Sequence, residues 1–97
     1  MNYRFVDEAL AEYISAGLYY ERREPGLGDA FMDEVEAGII VISNGPEVWP
    51  VFDGDVRRYL IHRFPYGILY TIEGDVTVIW AVMDLRRQPG YWKHRRG

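Results

Sequence analysis

The residues best equipped for chemistry crowd into the last part of the chain, Asp84-Leu85-Arg86-Arg87-Gln88-Pro89-Gly90-Tyr91-Trp92-Lys93-His94-Arg95-Arg96. Arginine fixes phosphate bidentately, aromatic rings stack on bases, and a histidine or tyrosine can exchange a proton at a ribose hydroxyl. Arg86, Tyr91 and His94 are therefore a candidate catalytic set for cutting RNA without a metal. Arg87, Trp92, Lys93 and Arg95 are candidates for gripping a target. The competing expectation is a basic terminus with Tyr91 and Trp92 packed back onto the sheet. A second cationic group, Arg57, Arg58, His62 and Arg63, precedes it, and Arg58 and Arg63 join the candidate target-binding residues. Cations on an open sheet face also serve simply as solubilising groups.

Other chemistries find no footing. Glu8, Glu12, Glu21, Asp33, Glu34 and Glu36 have no histidine partners and no paired geometry, so they are expected to form a solvated acidic face rather than a metal or glycosidase site. Gly26-Leu27-Gly28 lacks the preceding strand and third glycine of a dinucleotide loop. Ser15 and Ser43, the only serines, have no base nearby to activate them. No cofactor and no metal are expected.

The elements that must position the basic groups follow from periodicity. Gly67 to Ile72 and Val76 to Met83 are apolar, β-branched and aromatic, and Glu73-Gly74-Asp75 separates them, so a hairpin is expected. Val56 to His62 reads as the strand before it, with Tyr59 and Ile61 on one face and Arg58, Leu60 and His62 on the other. Asn2 to Val6 alternates as a short first strand. Asp7 is expected to cap a first helix whose buried stripe is Ala9, Tyr13, Ala16 and Tyr20, widened by Leu10, Ile14 and Gly17. Arg22 and Arg23 close it, and Pro25-Gly26 stops it. A second helix, capped by Gly28 or Asp29, buries Phe31, Val35, Gly38, Ile39 and Ile42 and ends at Asn44-Gly45-Pro46. Glu47 to Asp55 is expected to be a loop, with Trp49-Pro50-Val51-Phe52 tucked over the core. The order is β-α-α-β-β-β: an αα-hairpin packed on one face of a mainly antiparallel sheet, an α+β fold.

Ninety-seven residues, 48% hydrophobic and 27% charged, suit one globular domain spanning 1–97, with no apolar run near the roughly 20 residues that cross a bilayer. Zero cysteines and no visible signal segment fit a cytoplasmic protein. The net charge of −4 hides a segregation: residues 1–55 carry 12 acids against 3 arginines, and residues 56–97 carry 8 Lys/Arg against 3 acids. A protein that wraps nucleic acid over most of its surface does not look like this, although a basic patch on the second half stays open.

Pro25-Gly26-Leu27-Gly28 with Phe31 and Glu34-Val35, then Arg58, Phe64-Pro65-Tyr66, Ile68 and Tyr70, and finally Ala81-Val82 with Arg86-Arg87-Gln88-Pro89 and Tyr91-Trp92, resemble the RelE/ParE superfamily of type II toxins. More narrowly they are similar to its plasmid-stabilisation branch. The resemblance spans nearly the whole chain, and the superfamily's fold has the same order of elements. It implies a small toxin neutralised by a co-encoded antitoxin whose C-terminal segment wraps it. It implies one of two targets: the ribosome and its mRNA, cut by RelE-like members with arginine, lysine and a C-terminal tyrosine or histidine, or DNA gyrase, poisoned by ParE-like members. Tyr91 falls about where the RelE-like tyrosine lies, and Arg86 or Arg87 near one catalytic arginine. The other arginine would follow Tyr66, where this chain has Gly67. That departure removes a stabiliser of developing phosphate charge, and the acidic balance disfavours docking on rRNA, so the ParE-like reading is preferred. A non-toxic relic of the same fold is the third possibility. For the antitoxin, Tyr13, Tyr20 and Trp49 are candidate anchors beside a sheet edge that can accept a strand.

Overall fold

The computed structural model describes residues 2–97. Five strands and two helices follow in the order β1 (Asn2–Phe5), α1 (Asp7–Arg23), α2 (Leu27–Asn44), β2 (Val51–Asp53), β3 (Val56–Leu60), β4 (Tyr66–Glu73) and β5 (Val76–Asp84), with a short 3-10 helix at Lys93–Arg96. The sheet runs β1-β5-β4-β3-β2. Only β1 is parallel to its neighbour; the other pairs are antiparallel. The α+β arrangement read from the sequence therefore stands, with one strand more. β2 lies inside the expected Glu47–Asp55 loop, and β3 stops two residues earlier than expected, at Leu60.

The helical hairpin closes on capping that runs across it. Val6, not Asp7, is the N-cap of α1, because its N–H still donates to the Ile79 carbonyl at 3.0 Å and so continues the β1 pairing. Gly26, at φ 87°, is the N-cap of α2. The capping group expected from Gly28 or Asp29 comes instead from α1: the Glu21 carboxylate accepts the N–H groups of Gly26 and Gly28 at 2.9 and 3.0 Å. A Cβ on Gly28 would lie 2.4 Å from the Gly17 carbonyl oxygen, so the helices cross where neither has a side chain.

Register shifts between Val51 and Asp53 in the β2–β3 pair, and alternation breaks in the β4–β5 pair at a bulge. Leu69 faces Ala81 and Tyr70 faces Ile79, which leaves Trp80 unpaired. The extra residue shifts the phase of β5, as bulges do. Ile79 and Val82 then both face the helices, while Ala81 and Met83 face away. The helix-side core joins them to Phe31, Val35, Ile39, Ile68, Tyr70 and the aromatic group Tyr20, Phe64 and Tyr66. Tyr13 and Tyr20, expected as partner anchors, are buried in this core. The Tyr13 hydroxyl donates to Glu36 at 2.8 Å, and Tyr20 packs 4.8 Å from Phe64. Their rings are committed to holding the helices on the sheet.

The far face of the sheet carries a second, smaller core of Val56, Leu69, Ala81, Met83 and Trp92, with Phe52 and Tyr91 packed against it. The chain's last residues fold back to supply its lid. Trp92 is 2% exposed, so it is not on a target-binding surface; its indole covers apolar strand residues that would otherwise face water. Among the described residues, no helix is long and apolar enough to cross a membrane.

Candidate functional site

β1 is shorter than β5, and beyond Ile79 the edge of β5 loses its strand partner. Glu12, one turn into α1, fills part of that gap. Its carboxylate accepts the Val82 N–H at 3.1 Å, while Arg95 donates to the Trp80 carbonyl at 3.1 Å. The two side chains also meet each other, with guanidinium nitrogens 2.7 and 3.0 Å from the Glu12 oxygens. Thus an ion pair replaces missing ladder bonds on a strand edge. The Tyr91 hydroxyl donates to the same carboxylate, and Arg87 lies 3.5 Å from it. Glu12 is no part of a solvated face: it is the centre of the region.

The rest of the tail is fastened likewise. Lys93 meets Asp53 at 2.8 Å, His94 meets Glu8 at 2.9 Å, and Arg96 meets Asp55 at 2.8 Å. Arg86 forks onto Asp84 through two bonds of 2.9 and 2.8 Å, which holds the Asp84 carboxyl below the usual carboxylate range. Every Lys, Arg and His from Arg86 to Arg96 thus has a carboxylate partner within the chain. The segregated charge of the sequence closes on itself.

Tyr91 and His94 are neighbours, but the cations over the Tyr91 ring are Arg87 and Arg95, 3.8 and 5.1 Å from its centroid, while Arg86 turns to Asp84. Burial, then the bond to Glu12, pushes the Tyr91 phenol well above its ordinary value, so it keeps its proton. Both ring nitrogens of His94 lie within hydrogen-bond distance of acceptors in the same chain, the Tyr91 carbonyl at 3.0 Å and the Glu8 carboxylate at 2.9 Å. Arg95, expected on the target-binding surface, has a side chain only 7% exposed. Arg87 and Lys93 remain at the surface although each is paired. A cleft of about 240 Å³ beside the clasp is lined by Glu12, Ser15, Tyr66, Asp84 and Arg87. Burial pushes the Tyr66 phenol on its wall up to about 12.

The space above Gly67 is also filled. A Cβ there would meet the Arg58 stem at 3.3 Å, and the Arg58 guanidinium stacks 4.3 Å over Phe52. The missing arginine after Tyr66 is thus matched by a neighbouring arginine that lies across its place and is held on a ring.

A second region lies at the other end of the sheet. Trp49, Pro50, Arg58, Tyr59, Leu60 and His62 line a groove of about 280 Å³, with the Trp49 and Tyr59 rings edge to face at 4.8 Å. Trp49, alone among the expected antitoxin anchors, lies half-exposed beside an opening. Arg57 ties this corner down by donating to the carbonyls of Glu47 and Trp49. Among the described residues, Arg57, Arg58 and Arg63 have no carboxylate partner. The acids of the helices are mostly engaged elsewhere: Glu34 accepts the His62 and Arg63 N–H groups, each at 2.7 Å. Among the described residues, no cluster of three or more histidine or acidic side chains is placed to hold a metal.

A helical hairpin packed on a mixed five-stranded sheet defines a small α+β protein. The family of the ParE toxin of the type II toxin-antitoxin system parDE matches residues 3–89, and the chain belongs to that family, within the RelE/ParE superfamily. The match ends before Tyr91. Among solved structures, a chain of the chromosomal ParDE TA system from P. aeruginosa has the same fold, with a TM-score of 0.60 and 15% identity over 84% of this chain and 92% of that one. No curated protein matches the chain.

Proposed function

We propose that the chain is a toxin that arrests growth by binding a macromolecular target, DNA gyrase, and that a cognate antitoxin neutralises it. Family membership supports the toxin class, and the origin of the P. aeruginosa neighbour in a ParDE system supports an antitoxin partner. The observation that favours binding over RNA cleavage is the closed clasp. A ribonuclease of the RelE kind needs a free base and unpaired cations at the scissile phosphate, whereas Tyr91, His94, Arg86 and Arg95 are each bound to an acid of the same chain. The exposed cations Arg63, Arg87 and Lys93, with the half-buried Arg58, are the candidates for contacting the target.

The test pairs gyrase supercoiling with mRNA cleavage on ribosomes, using the wild type and Tyr91→Phe. Inhibition of supercoiling retained in the variant, with no cleavage by either protein, is the expected result. Cleavage that disappears in Tyr91→Phe overturns the gyrase reading in favour of a ribonuclease. If induced expression leaves growth untouched at verified soluble levels, the toxin reading fails and the non-toxic relic takes its place.

A further inference from the structure

Leu10 and Ile14, expected to widen the buried stripe of α1, face outward instead, and Leu18 continues their row by one more turn. The three are 41, 47 and 51% exposed. Four-residue spacing sets them in line along the helix, on the side away from the buried Ala9, Tyr13, Ala16 and Tyr20. The outer face of a surface helix is normally polar, so an unbroken apolar row there has the form of an uncovered contact surface.

The row borders a depression. Ile14, Gly17, Leu18 and Glu21 line a hollow of about 140 Å³, with Met32 of α2 on its far wall. Those four positions are i, i+3, i+4 and i+7, the corners of the hole that takes one side chain from a facing helix. Gly17 leaves one corner bare, where a Cβ would stand only 2.9 Å from Met32 Sδ. The charge at the last corner is already spent, because the Glu21 carboxylate accepts the Gly26 and Gly28 N–H groups. The same helix also carries a side chain that fits such a hole: Leu10, large, apolar and exposed, one turn before it. In an antiparallel pair of α1 helices related by a two-fold axis near Ile14, Leu10 of each copy falls opposite Leu18 of the other, over the hole. The charges agree with that register. Asp7 stands seven residues before Ile14 and Arg22 eight after it, so each Asp7 comes beside the Arg22 of the other copy. Both are exposed, and among the described residues neither takes part in an ion pair.

We propose that the outer face of α1 is the seam of a two-fold dimer of this chain, with Leu10 of each copy seated among Ile14, Gly17 and Leu18 of the other and Asp7 paired to Arg22 at both ends. Knob, hole and opposite charges all lie on one surface, which is what an isologous contact requires and what a foreign helix has no need of. A seam of one helix per copy falls among the small interfaces, below about 1,200 Å², so the dimer is reversible. Nothing in it depends on the toxin reading, which the growth and supercoiling assays test separately.

Sedimentation equilibrium of the full chain, from micromolar to millimolar at low ionic strength, is the test. The mass should rise from one chain to two, and added salt should weaken the association. Ile14→Glu sets two like charges at the axis and should weaken it by about tenfold or more, with the circular dichroism and melting of the monomer close to wild type because the position is half-exposed. Asp7→Lys and Arg22→Glu should each weaken the dimer as well. An equimolar mixture of those two variants should associate more tightly than either alone, since opposite charges then meet at both ends of the seam. A dimer indifferent to Ile14→Glu, or charge variants that associate like wild type, overturns the proposal. A chain that stays monomeric at every concentration overturns it too, and leaves the row to a helix of another protein.

Discussion

Replacing Glu12 by Gln should unfold more of this protein than any other surface-facing charge change. One carboxylate serves five donor groups: the Val82 N–H, two nitrogens of Arg95, the Tyr91 hydroxyl and Arg87. The side chains of Glu12 and Arg95 are 15% and 7% exposed, so water cannot take over the Arg95 charge. Stripping one partner from a buried ion pair costs about 3–5 kcal/mol. Glutamine keeps an oxygen for the Val82 N–H or one arginine nitrogen, which brings the expected loss to about 2–3 kcal/mol. For a domain near this size each kcal/mol moves Tm by about 4–8 °C, so a fall of about 10–20 °C is expected. Urea unfolding at neutral pH should show a lower midpoint with an unchanged slope. Combining Glu12→Gln with Arg95→Met removes both charges, and the double variant should be about 2 kcal/mol more stable than the sum of the singles implies. A Glu12→Gln protein within about 0.5 kcal/mol of wild type, or strictly additive singles, would falsify the hub.

Trp92→Ala uncovers the second core and should cost about 3–5 kcal/mol in chemical unfolding; a loss under about 1 kcal/mol would mean the tail is not a lid. Gly28→Ala forces a methyl to 2.4 Å from the Gly17 carbonyl and should cost about 1–3 kcal/mol or more by thermal melting, whereas a neutral outcome would refute the close helix crossing. Burial raises the phenols of Tyr66 and Tyr70 to about 12 and those of Tyr13 and Tyr91 further. Since the unfolded value is about 10, the stabilisation of the protonated phenols is complete below pH 10 and is lost as the pH climbs through the folded values. An ultraviolet titration should show these four tyrosines ionising late and together with unfolding, and early ionisation of all eight would contradict the packing. The Asp84 carboxyl is depressed by Arg86, so its contribution is present above the unfolded value of about 4 and fades as pH falls through the lower folded value. Because Arg86 is largely exposed, Asp84→Asn should change neutral-pH stability by less than about 1 kcal/mol and lessen the acid-side fall, read by urea midpoints across that range.

The helices, the hairpin and the layer order were legible because each rests on local periodicity: Ala9, Tyr13, Ala16 and Tyr20 on one helical stripe, Phe31, Val35, Ile39 and Ile42 on the other. β2 was not, because three residues behind Pro50 carry no period and form a strand only by pairing with β3. The bulge at Trp80 was hidden for a different reason. A run apolar on both faces looks the same whichever way its phase shifts. The acids were misread because their partners are remote. Glu12 and Arg95 stand 83 residues apart, and Glu34 caps N–H groups 28 and 29 residues on, so nothing near either acid in sequence marks its task. The burial of Tyr13 and Tyr20 follows from the same stripe that defines α1. An aromatic residue on a buried stripe is core first, and it anchors a partner only where the stripe reaches an opening, as Trp49 does beside β3.

The segregation of charge along the chain takes its meaning from this geometry. Taken alone, a basic second half invites a polyanionic partner. In three dimensions the acids of α1, β2 and the β2–β3 turn meet the tail: Glu12 pairs with Arg95 and Arg87, Asp53 with Lys93, Asp55 with Arg96, and Glu8 faces His94, so the potential of the tail cations at a distance is largely cancelled. Among the described residues, the arginines without a carboxylate partner are Arg57 and Arg58 on β3, Arg63 three residues past its end, Arg4 on β1, and Arg22 and Arg23 at the close of α1. Unmatched positive charge is therefore spread over β1, β3, Arg63 and the end of α1 rather than gathered in the tail that the sequence marks as basic.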